Sequence, residues 1–192
     1  MFKDLVLKTR SIRRFNQKIP VTKDTLRELV NLARCSSSGA NRQPLKYIIS
    51  CEPEKNAFIF EQIRFARKES NITYPPEGER PAAYIVILLD TEIAKQAGAD
   101  HGIAAQTIML GAREVGIGGC MIGFVAKDTL AAGLGIPERY QVLLVIALGV
   151  PKEEAVIEVV KPDGSTGAYW DEIGLRHVPK RALDDIIIAS YE

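Results

Sequence analysis

The run of apolar residues from Ala82 to Leu89 constrains the fold more than any other part of the sequence. It reads Ala-Ala-Tyr-Ile-Val-Ile-Leu-Leu, without the polar alternation of a strand that has one face in water. A continuous run of this length predicts a central, buried β-strand. The run from Val142 to Val150 predicts another buried strand, and the β-rich run from Leu45 to Ser50 predicts a third.

The segment from Gly98 to Val115 is the best candidate for a buried central helix, because it has few charges and several small residues. Such small residues would permit close helix packing, either in the core or across a dimer interface. Asp100 and His101 stand near its start. An Asp there is usually a cap and an isolated His is usually structural, although a functional role for either remains open.

The other segments predict shorter elements around this core. Thr22 is expected to cap an amphipathic helix that ends near the run Ser36 to Gly39. The remaining expectations are a short opening helix at Phe2 to Val6, a helix within Glu52 to Lys68, a loop from Asn71 to Pro81, a helix from Lys127 to Leu134, a turn at Pro162 to Gly164 between extended pieces at Val156 to Val160 and Ala168 to Trp170, and a short terminal element at Leu183 to Ala189.

Composition excludes several classes of function. A chain of 192 residues fits one domain, which we expect to span residues 1–192. Its net charge of +1 argues against nucleic acid as a partner, and no apolar stretch approaches the length of a membrane span. The three cysteines are odd in number and form no C-x-x-C pair, and the two histidines are far apart. We therefore expect a cytoplasmic protein with no metal and no membrane contact.

The segment from Arg10 to Phe15 has the composition of an anion-binding site. It reads Arg-Ser-Ile-Arg-Arg-Phe, with three guanidinium groups and a hydroxyl between two apolar anchors, Ile12 and Phe15. Guanidinium groups match the oxygens of a phosphate bidentately, and Ser11 adds a neutral donor. A short basic run is more often only a solvated face, so this reading depends on the motifs that follow.

The polar loop from Ser36 to Pro44 precedes the first predicted strand. The side-chain amides of Asn41 and Gln43 each offer a donor and an acceptor, which suits the edge of a heterocycle with alternating carbonyls and ring nitrogens. Turn chemistry alone also favours Ser, Gly and Asn in such loops.

The glycines between Gly116 and Gly123 do not form a dinucleotide fingerprint, because Met121 stands where a third glycine would be needed and the run follows a helix. A helix C-cap at Gly116 and a short strand with close backbone approach to a ligand fit better. Cys120 has no local base or cation that would make it a nucleophile.

Lys180 and Arg181 could be solvated or could meet the first arginine cluster around one phosphate.

Taken in order, these motifs resemble the flavin-dependent nitroreductase family nearly end to end. The Arg10 to Phe15 segment is similar to its N-terminal phosphate motif, and Ser38 to Pro44 to the loop under its flavin. Ile117 to Gly123 resembles its glycine-bearing strand, and Lys180 to Ile186 its C-terminal end. Thr9 stands where many members have a further arginine, and Leu45 where a tryptophan is common.

The resemblance implies an α+β fold, with a central mixed or antiparallel sheet flanked by helices, and an intertwined homodimer with two FMN sites at its interface. By that resemblance, the phosphate and ribityl chain would contact Arg10, Ser11, Arg13, Lys180 and Arg181. The ring system would contact Asn41 and Gln43, with Ser37, Ser38 and Gly39 approaching from the partner subunit and Ile122 and Gly123 near the reactive edge.

The implied activity is that of an FMN-dependent oxidoreductase in which no side chain is a required acid or base. NADH or NADPH would donate hydride, and a small-molecule acceptor such as a nitroaromatic or a quinone would receive it in a ping-pong cycle. Two alternatives stay open: specialised flavin chemistry, such as dehalogenation or flavin consumption, and a protein that binds FMN without turnover.

Overall fold

The fold is that of a computed structural model, which describes residues 1–65, 75–161 and 164–192. Six α-helices are found in these ranges: α1 Phe2–Lys8, α2 Lys23–Arg34, α3 Pro53–Glu61, α4 Asp100–Glu114, α5 Lys127–Leu134 and α6 Leu183–Ile186. The strands are β1 Leu45–Ser50, β2 Ala83–Asp90, β3 Gly118–Ile122, β4 Tyr140–Gly149, β5 Ala155–Val159, β6 Tyr169–Trp170 and β7 Arg176–Lys180, and a 3-10 turn covers Gly39–Asn41.

The main sheet has the strand order β1-β2-β4-β3, and every neighbouring pair is antiparallel. All eight residues of β2 are buried, which confirms the prediction of a central strand. Strands β1 and β4 pair with its two edges, and apolar layers cover both of its faces, which explains the continuous apolar run. The expected α+β fold, with an antiparallel central sheet and flanking helices, is confirmed.

Two apolar layers cover the two faces of this sheet. On one face, Leu26 and Leu29 of α2 pack with Ala104 and Ile108 of α4. On the other face, Ile59 of α3 and Leu130 of α5 pack against side chains of β2 and β4. The buried helix α4 is therefore confirmed, and it lies in the layer shared with α2.

Local signals account for the ends of several helices. The hydroxyl oxygen of Thr22 accepts the N–H of Thr25 at 3.1 Å, so the predicted cap of α2 is confirmed. Gly116 follows α4 with φ of 78°, and Gly135 ends α5 with φ of 63°. Both are in the left-handed region, which glycine enters without a steric penalty from Cβ.

Other boundaries differ from the expectations. Helix α3 ends at Glu61, because Ile63 leaves it to form a β-bridge with Val125. The predicted loop from Asn71 to Pro81 lies outside the described residues up to position 74. Pro162 and Asp163 of the predicted turn also lie outside them, and the flanking strands β5 and β6 each pair with β7 rather than with each other. The terminal element predicted at Leu183 to Ala189 is shorter than expected, because only α6 (Leu183–Ile186) is helical.

The small sheet β5-β7-β6 brings the C-terminal part of the chain beside the N-terminal part. Strand β7 is parallel to β5 and antiparallel to β6. In the part of the chain that the structure describes, no helix has the length and apolarity needed to cross a membrane. That the chain forms one domain over residues 1–192 stays a prediction.

Candidate functional site

The Arg10 to Phe15 segment is fixed against the main sheet by its two apolar anchors. Phe15 is fully buried and Ile12 is 6% exposed. The N–H of Ile12 donates to the carbonyl of Gly119 at 2.7 Å, which ties the segment to β3. A Cβ on Gly118 would come within 2.8 Å of Ile12, so the glycine admits this segment rather than a ligand. The chain thus holds the basic side chains in a defined place.

A cavity of about 210 Å³, here called the Arg10 cavity, opens beside this segment. Lys180 of β7 reaches the same cavity as Arg10 and Ser11, as the hypothesis of a shared phosphate requires. Thr9 also lines it, and its hydroxyl donates to the carbonyl of Leu5 at 2.6 Å. The lining residues are Thr9, Arg10, Ser11, Gln106, Met109, Met121, Arg176, Val178 and Lys180.

The three arginines of the motif have different surroundings. Arg10 donates from Nη2 to the carbonyl of Val6 at 2.8 Å, burial lowers its pKa, and its buried Nε has no partner among the described residues. The Nε and Nη1 of Arg13 are likewise buried without a partner in the described ranges. Arg14 instead forms an ion pair with Glu79 through Nε and Nη2. The prediction that all three guanidinium groups bind an anion is wrong for Arg14, because its ion pair with Glu79 gives it a structural role.

Sequence reasoning missed Arg176, which is only 7% exposed and lines the Arg10 cavity. Its Nη1 donates to the carbonyl of Ser11 at 2.7 Å, and its guanidinium carbon lies 5.4 Å from the ring centroid of Trp170. Nothing in the local sequence distinguishes Arg176 from Arg181, which is exposed and outside the lining of this cavity. Only the pairing of β7 with β5 places Arg176 beside the motif.

Glu153 was also missed. It is 7% exposed, and its carboxylate accepts the backbone N–H groups of Arg13 and Arg14. A carboxylate in this position fixes the backbone of the motif through charge-assisted hydrogen bonds.

The loop from Ser36 to Gln43, here called the 36–43 loop, is held by the buried carboxylate of Asp100 at the start of α4. The hydroxyl of Ser38 donates to Oδ2 at 2.6 Å, and the N–H of Gly39 donates to Oδ1 at 2.9 Å. The hydroxyl oxygen of Ser38 in turn accepts the N–H of Gln43 at 2.9 Å. Asp100 is therefore not the N-cap, which is Ala99, but an anchor for this loop.

The backbone of the 36–43 loop is unusual. Ala40, Asn41 and Gln43 have φ of 51°, 52° and 51°. Residues other than glycine seldom adopt this left-handed conformation, and such strain concentrates at functional sites. The hydrogen bonds to Asp100 and Ser38 hold this strained conformation in place. The strain marks the loop as a candidate site independently of its sequence.

A cavity of about 370 Å³, here called the Ser38 cavity, adjoins this loop. Leu45, at the position where the resemblance leads one to expect tryptophan, both lines this cavity and packs against the core. Burial, and secondarily the charge of Asp100, raises the pKa of Tyr47. The lining residues are Val30, Ala33, Arg34, Ser36, Ser37, Ser38, Gln43, Leu45, Lys46, Tyr47 and Asp100.

The predicted residues on and after β3 lie outside these two cavities. Ile122 is 3% exposed and its side chain packs in the layer with α3 and α5, whereas Gly123 follows the strand and is exposed. Cys120 is buried, and burial raises the pKa of its thiol, with the charges of Arg13 and Arg176 acting in the opposite direction. A buried thiol with a raised pKa is a poor nucleophile.

Within one chain, the candidate residues therefore form two separate groups, which contact different parts of α4. Asp100 belongs to the Ser38 cavity, and Gln106 and Met109 belong to the Arg10 cavity. At 1.5 Å per residue, Asp100 and Met109 are about 13 Å apart along the helix axis. Asn41 and Gly39 lie in the loop beside the first group, and Arg13 lines neither cavity.

Comparison with known proteins identifies the family of this chain. The model of the nitroreductase family matches residues 6–150. An Archaeoglobus fulgidus protein, provisionally named an NADH dehydrogenase/NAD(P)H nitroreductase, is 27% identical over 158 residues, covering 78% of this chain and 85% of that protein. The NADPH-flavin oxidoreductase of Vibrio harveyi is 25% identical over 172 residues, covering 81% and 68% of the two chains.

A solved structure shares the fold. The FMN-dependent nitroreductase of Clostridium difficile R20291 superimposes with a TM-score of 0.64 at 27% identity, covering 78% of this chain and 87% of that one. Because the family model matches about three quarters of the chain, including the Arg10 to Phe15 segment and the 36–43 loop, the resemblance inferred from the motifs is confirmed. The chain belongs to the nitroreductase family.

Proposed function

We propose that this protein is an FMN-dependent oxidoreductase that takes electrons from NADH or NADPH and reduces a small-molecule acceptor, such as a nitroaromatic or a quinone. The observation that carries the proposal is the Arg10 cavity, where Arg10, Ser11, Arg176 and Lys180 converge from opposite ends of the chain. The names of the relatives, a nitroreductase and a flavin oxidoreductase, support the same class of activity. A cytoplasmic location stays a prediction.

The residues around the Arg10 cavity fit the phosphate of FMN. The buried Nε of Arg10 has no acceptor among the described residues, although such donors are usually paired. A phosphate accepts several charge-assisted hydrogen bonds, and guanidinium groups match its geometry. Arg10, Ser11 and Lys180 would hold the phosphate and ribityl chain, with Arg176 and Arg13 supporting them. Arg181 would act only by its charge.

The 36–43 loop fits the ring system. Gln43 and Ser38 line a cavity of about 370 Å³ that is more apolar than the Arg10 cavity in its side chains, with Val30, Ala33 and Leu45 among them. The amides of Asn41 and Gln43 are held together, since Nε2 of Gln43 donates to Oδ1 of Asn41 at 3.2 Å. Ser37, Ser38 and Gly39 would approach the ring from the partner subunit. Ile122 and Gly123 would contribute backbone groups.

A homodimer is part of the proposal. The phosphate and ribityl chain would lie in the Arg10 cavity of one copy, and the ring system would meet the Ser38 cavity of the second copy. Large apolar side chains near the termini are exposed in the single chain, among them Phe2 at 72%, Ile188 at 100% and Tyr191 at 95%. Burial of such side chains in an interface would stabilise the pair.

The chemistry that bound FMN supplies is hydride exchange with the nicotinamide and with the acceptor. This chain's residues bind and orient the reactants. No described side chain at either cavity is required as an acid or base in this scheme. The thiol of Cys120 is buried and unsuited to attack.

The first test is the visible absorption spectrum of the purified protein, followed by anaerobic addition of NADH or NADPH. We expect a yellow protein that releases FMN on denaturation and bleaches with a nicotinamide. Retained flavin that does not bleach would instead indicate binding without turnover. A protein that stays colourless after FMN is supplied would contradict the proposal.

A second test addresses the phosphate assignment. Replacing both Arg10 and Lys180 by Ala should weaken FMN binding by about 2 to 5 kcal/mol, because charge-assisted hydrogen bonds contribute roughly 1.5–3 kcal/mol each and are not additive. Arg27→Ala is the matched control, since Arg27 lies on the exposed side of α2. Equal FMN affinity in the double variant and the control would refute the assignment.

A further inference from the structure

A third region with unexplained polar groups lies apart from both cavities. It is a cleft of about 200 Å³ between the chain after the arginine motif, the start of α3 and the start of β2, here called the Arg80 cleft. Tyr84, at its floor, packs in the layer with α3 and α5, on the face of the sheet opposite α4. The lining residues are Gln17, Lys18, Pro20, Cys51, Pro53, Asn56, Ala57, Phe60, Arg80, Pro81, Ala82 and Tyr84.

The guanidinium of Arg80 has no carboxylate partner among the described residues. Its carbon lies 4.6 Å from the ring centroid of Phe60, so the flat face of the group is supported by an aromatic ring. Its Nε is buried and finds no acceptor in the described parts of the chain. An arginine held in this way presents its remaining N–H donors at the edge of the group.

The hydroxyl of Tyr84 is a second buried donor in the same place. Tyr84 is fully buried, and its hydroxyl has no hydrogen-bond partner within the described ranges. Buried hydroxyls are normally paired, because leaving one unpaired costs free energy. Burial raises the pKa of Tyr84, with the charge of Arg80 acting in the opposite direction, so the group is a neutral donor at physiological pH.

Two other polar side chains of the cleft already have partners. Asn56 accepts the hydroxyl of Ser50 at 2.7 Å through Oδ1 and donates from Nδ2 to the carbonyl of Ala82 at 2.8 Å. Oε1 of Gln17 accepts the backbone N–H of Arg80 at 3.1 Å. Lys18 adds a second positive charge at the rim, and the lining contains no acidic residue. The unengaged groups are therefore donors and cations.

We propose that the Arg80 cleft binds a small oxyanion, either the carboxylate or the phosphate group of a small molecule, with Arg80 as the principal ligand. Lys18 adds charge from the rim and Tyr84 offers a neutral O–H donor. A volume of about 200 Å³ admits one such group with a short attached chain. The site is independent of the proposed flavin chemistry, because it shares no lining residue with either cavity described above.

The test is a titration of the isotope-labelled protein, saturated with FMN, with inorganic phosphate and separately with acetate. The Arg80 Nε–Hε signal, assigned by its loss in Arg80→Gln, should shift saturably. Anion binding to the variants is measured from the backbone amides around Gly78. Arg80→Gln should weaken this binding by about tenfold or more, and Arg27→Gln should leave it unchanged. Tighter binding of one anion identifies the source chemistry as phosphate or carboxylate.

Tyr84→Phe separates binding from folding. Because its hydroxyl is unpaired without a ligand, this variant should be at least as stable as the wild type in the absence of anion, yet gain less stability when phosphate or acetate is added. The variant with Arg10 and Lys180 both replaced by Ala should respond as the wild type does, whether or not it binds FMN. Shifts that do not saturate, or that persist in Arg80→Gln or vanish in the Arg10 and Lys180 variant, would overturn the proposal.

Discussion

Replacing the buried carboxylate of Asp100 should loosen the 36–43 loop and weaken FMN binding together. The carboxylate is 7% exposed and accepts two hydrogen bonds from the loop, from the hydroxyl of Ser38 at 2.6 Å and from the N–H of Gly39 at 2.9 Å. Those bonds hold Ala40, Asn41 and Gln43 at positive φ. Without them, the backbone can relax toward conformations that non-glycine residues prefer.

The expected magnitude comes from these two bonds. Hydrogen bonds to a charged group contribute about 1.5–3 kcal/mol each and are not additive, so Asp100→Ala should lower the free energy of unfolding by about 2–4 kcal/mol. Asp100→Asn keeps one accepting oxygen and should cost about half as much. Re-ordering the loop on binding should raise the Kd for FMN in Asp100→Ala by roughly tenfold to a hundredfold.

Two measurements check this prediction: urea unfolding of the apoprotein and quenching of flavin fluorescence on titration with FMN. Asp24→Asn is the matched control, because Asp24 lies in the exposed first turn of α2. Both quantities should follow the order wild type, Asp100→Asn, Asp100→Ala. Lowered stability with unchanged FMN affinity would refute the link between the loop and the flavin, and no change in either would refute the anchoring role itself.

Two further predictions concern pH. Hydrogen bonds to Asp171, and secondarily to Glu158, raise the pKa of His177 above its unperturbed value of 6.5. The stability that the charged imidazole contributes is therefore complete below pH 6.5 and is lost as pH rises through the raised pKa. In unfolding measurements, His177→Gln should abolish this loss. The hydrogen bond to Arg14 is the main reason that the pKa of Glu79 falls from 4.5 to about 2, so its contribution is present above pH 4.5 and is lost as pH falls toward 2. Glu79→Gln should flatten acid unfolding in that window, and an unchanged acid limb would contradict the role of this ion pair.

The main sheet could be predicted because the local sequence of its strands indicates that they are buried. The apolar run of β2 and the β-rich run of β1 identify strands without knowledge of their partners. Helix α3 could not be bounded in this way. Ile63 continues the apolar pattern of the helix, but its partner is Val125, which is distant in sequence and decides that the chain is extended there.

The candidate site shows the same limit more sharply. Arg10 and Arg14 have the same side chain within one motif, yet only the tertiary position of Glu79 assigns Arg14 to an ion pair. The bond between Ser38 and Asp100 joins residues 62 positions apart, so no local window reveals that this Asp is an anchor rather than a cap. The order of the motifs identified the family, whereas the role of each residue in the motifs could be assigned only from the structure.

The two-group arrangement makes a prediction that only a dimer can satisfy. If each flavin site combines the Arg10 cavity of one subunit with the 36–43 loop of the other, two defective chains can complement each other. One chain would carry Arg10 and Lys180 replaced by Ala, and the other Asp100→Ala. In their heterodimer, isolated with two different tags, one of the two sites would contain both defects and the other neither.

The heterodimer should therefore bind one FMN with wild-type affinity, whereas each homodimer of variants binds FMN only weakly. Fluorescence titration at a protein concentration well above the wild-type Kd gives the stoichiometry directly. A site built within a single chain predicts the opposite result, because every site would then carry one of the two defects. A heterodimer with no tight FMN site would refute the shared site while leaving the assignment of the Arg10 cavity to the phosphate untouched, since the variants of Arg10 and Lys180 test that assignment on their own.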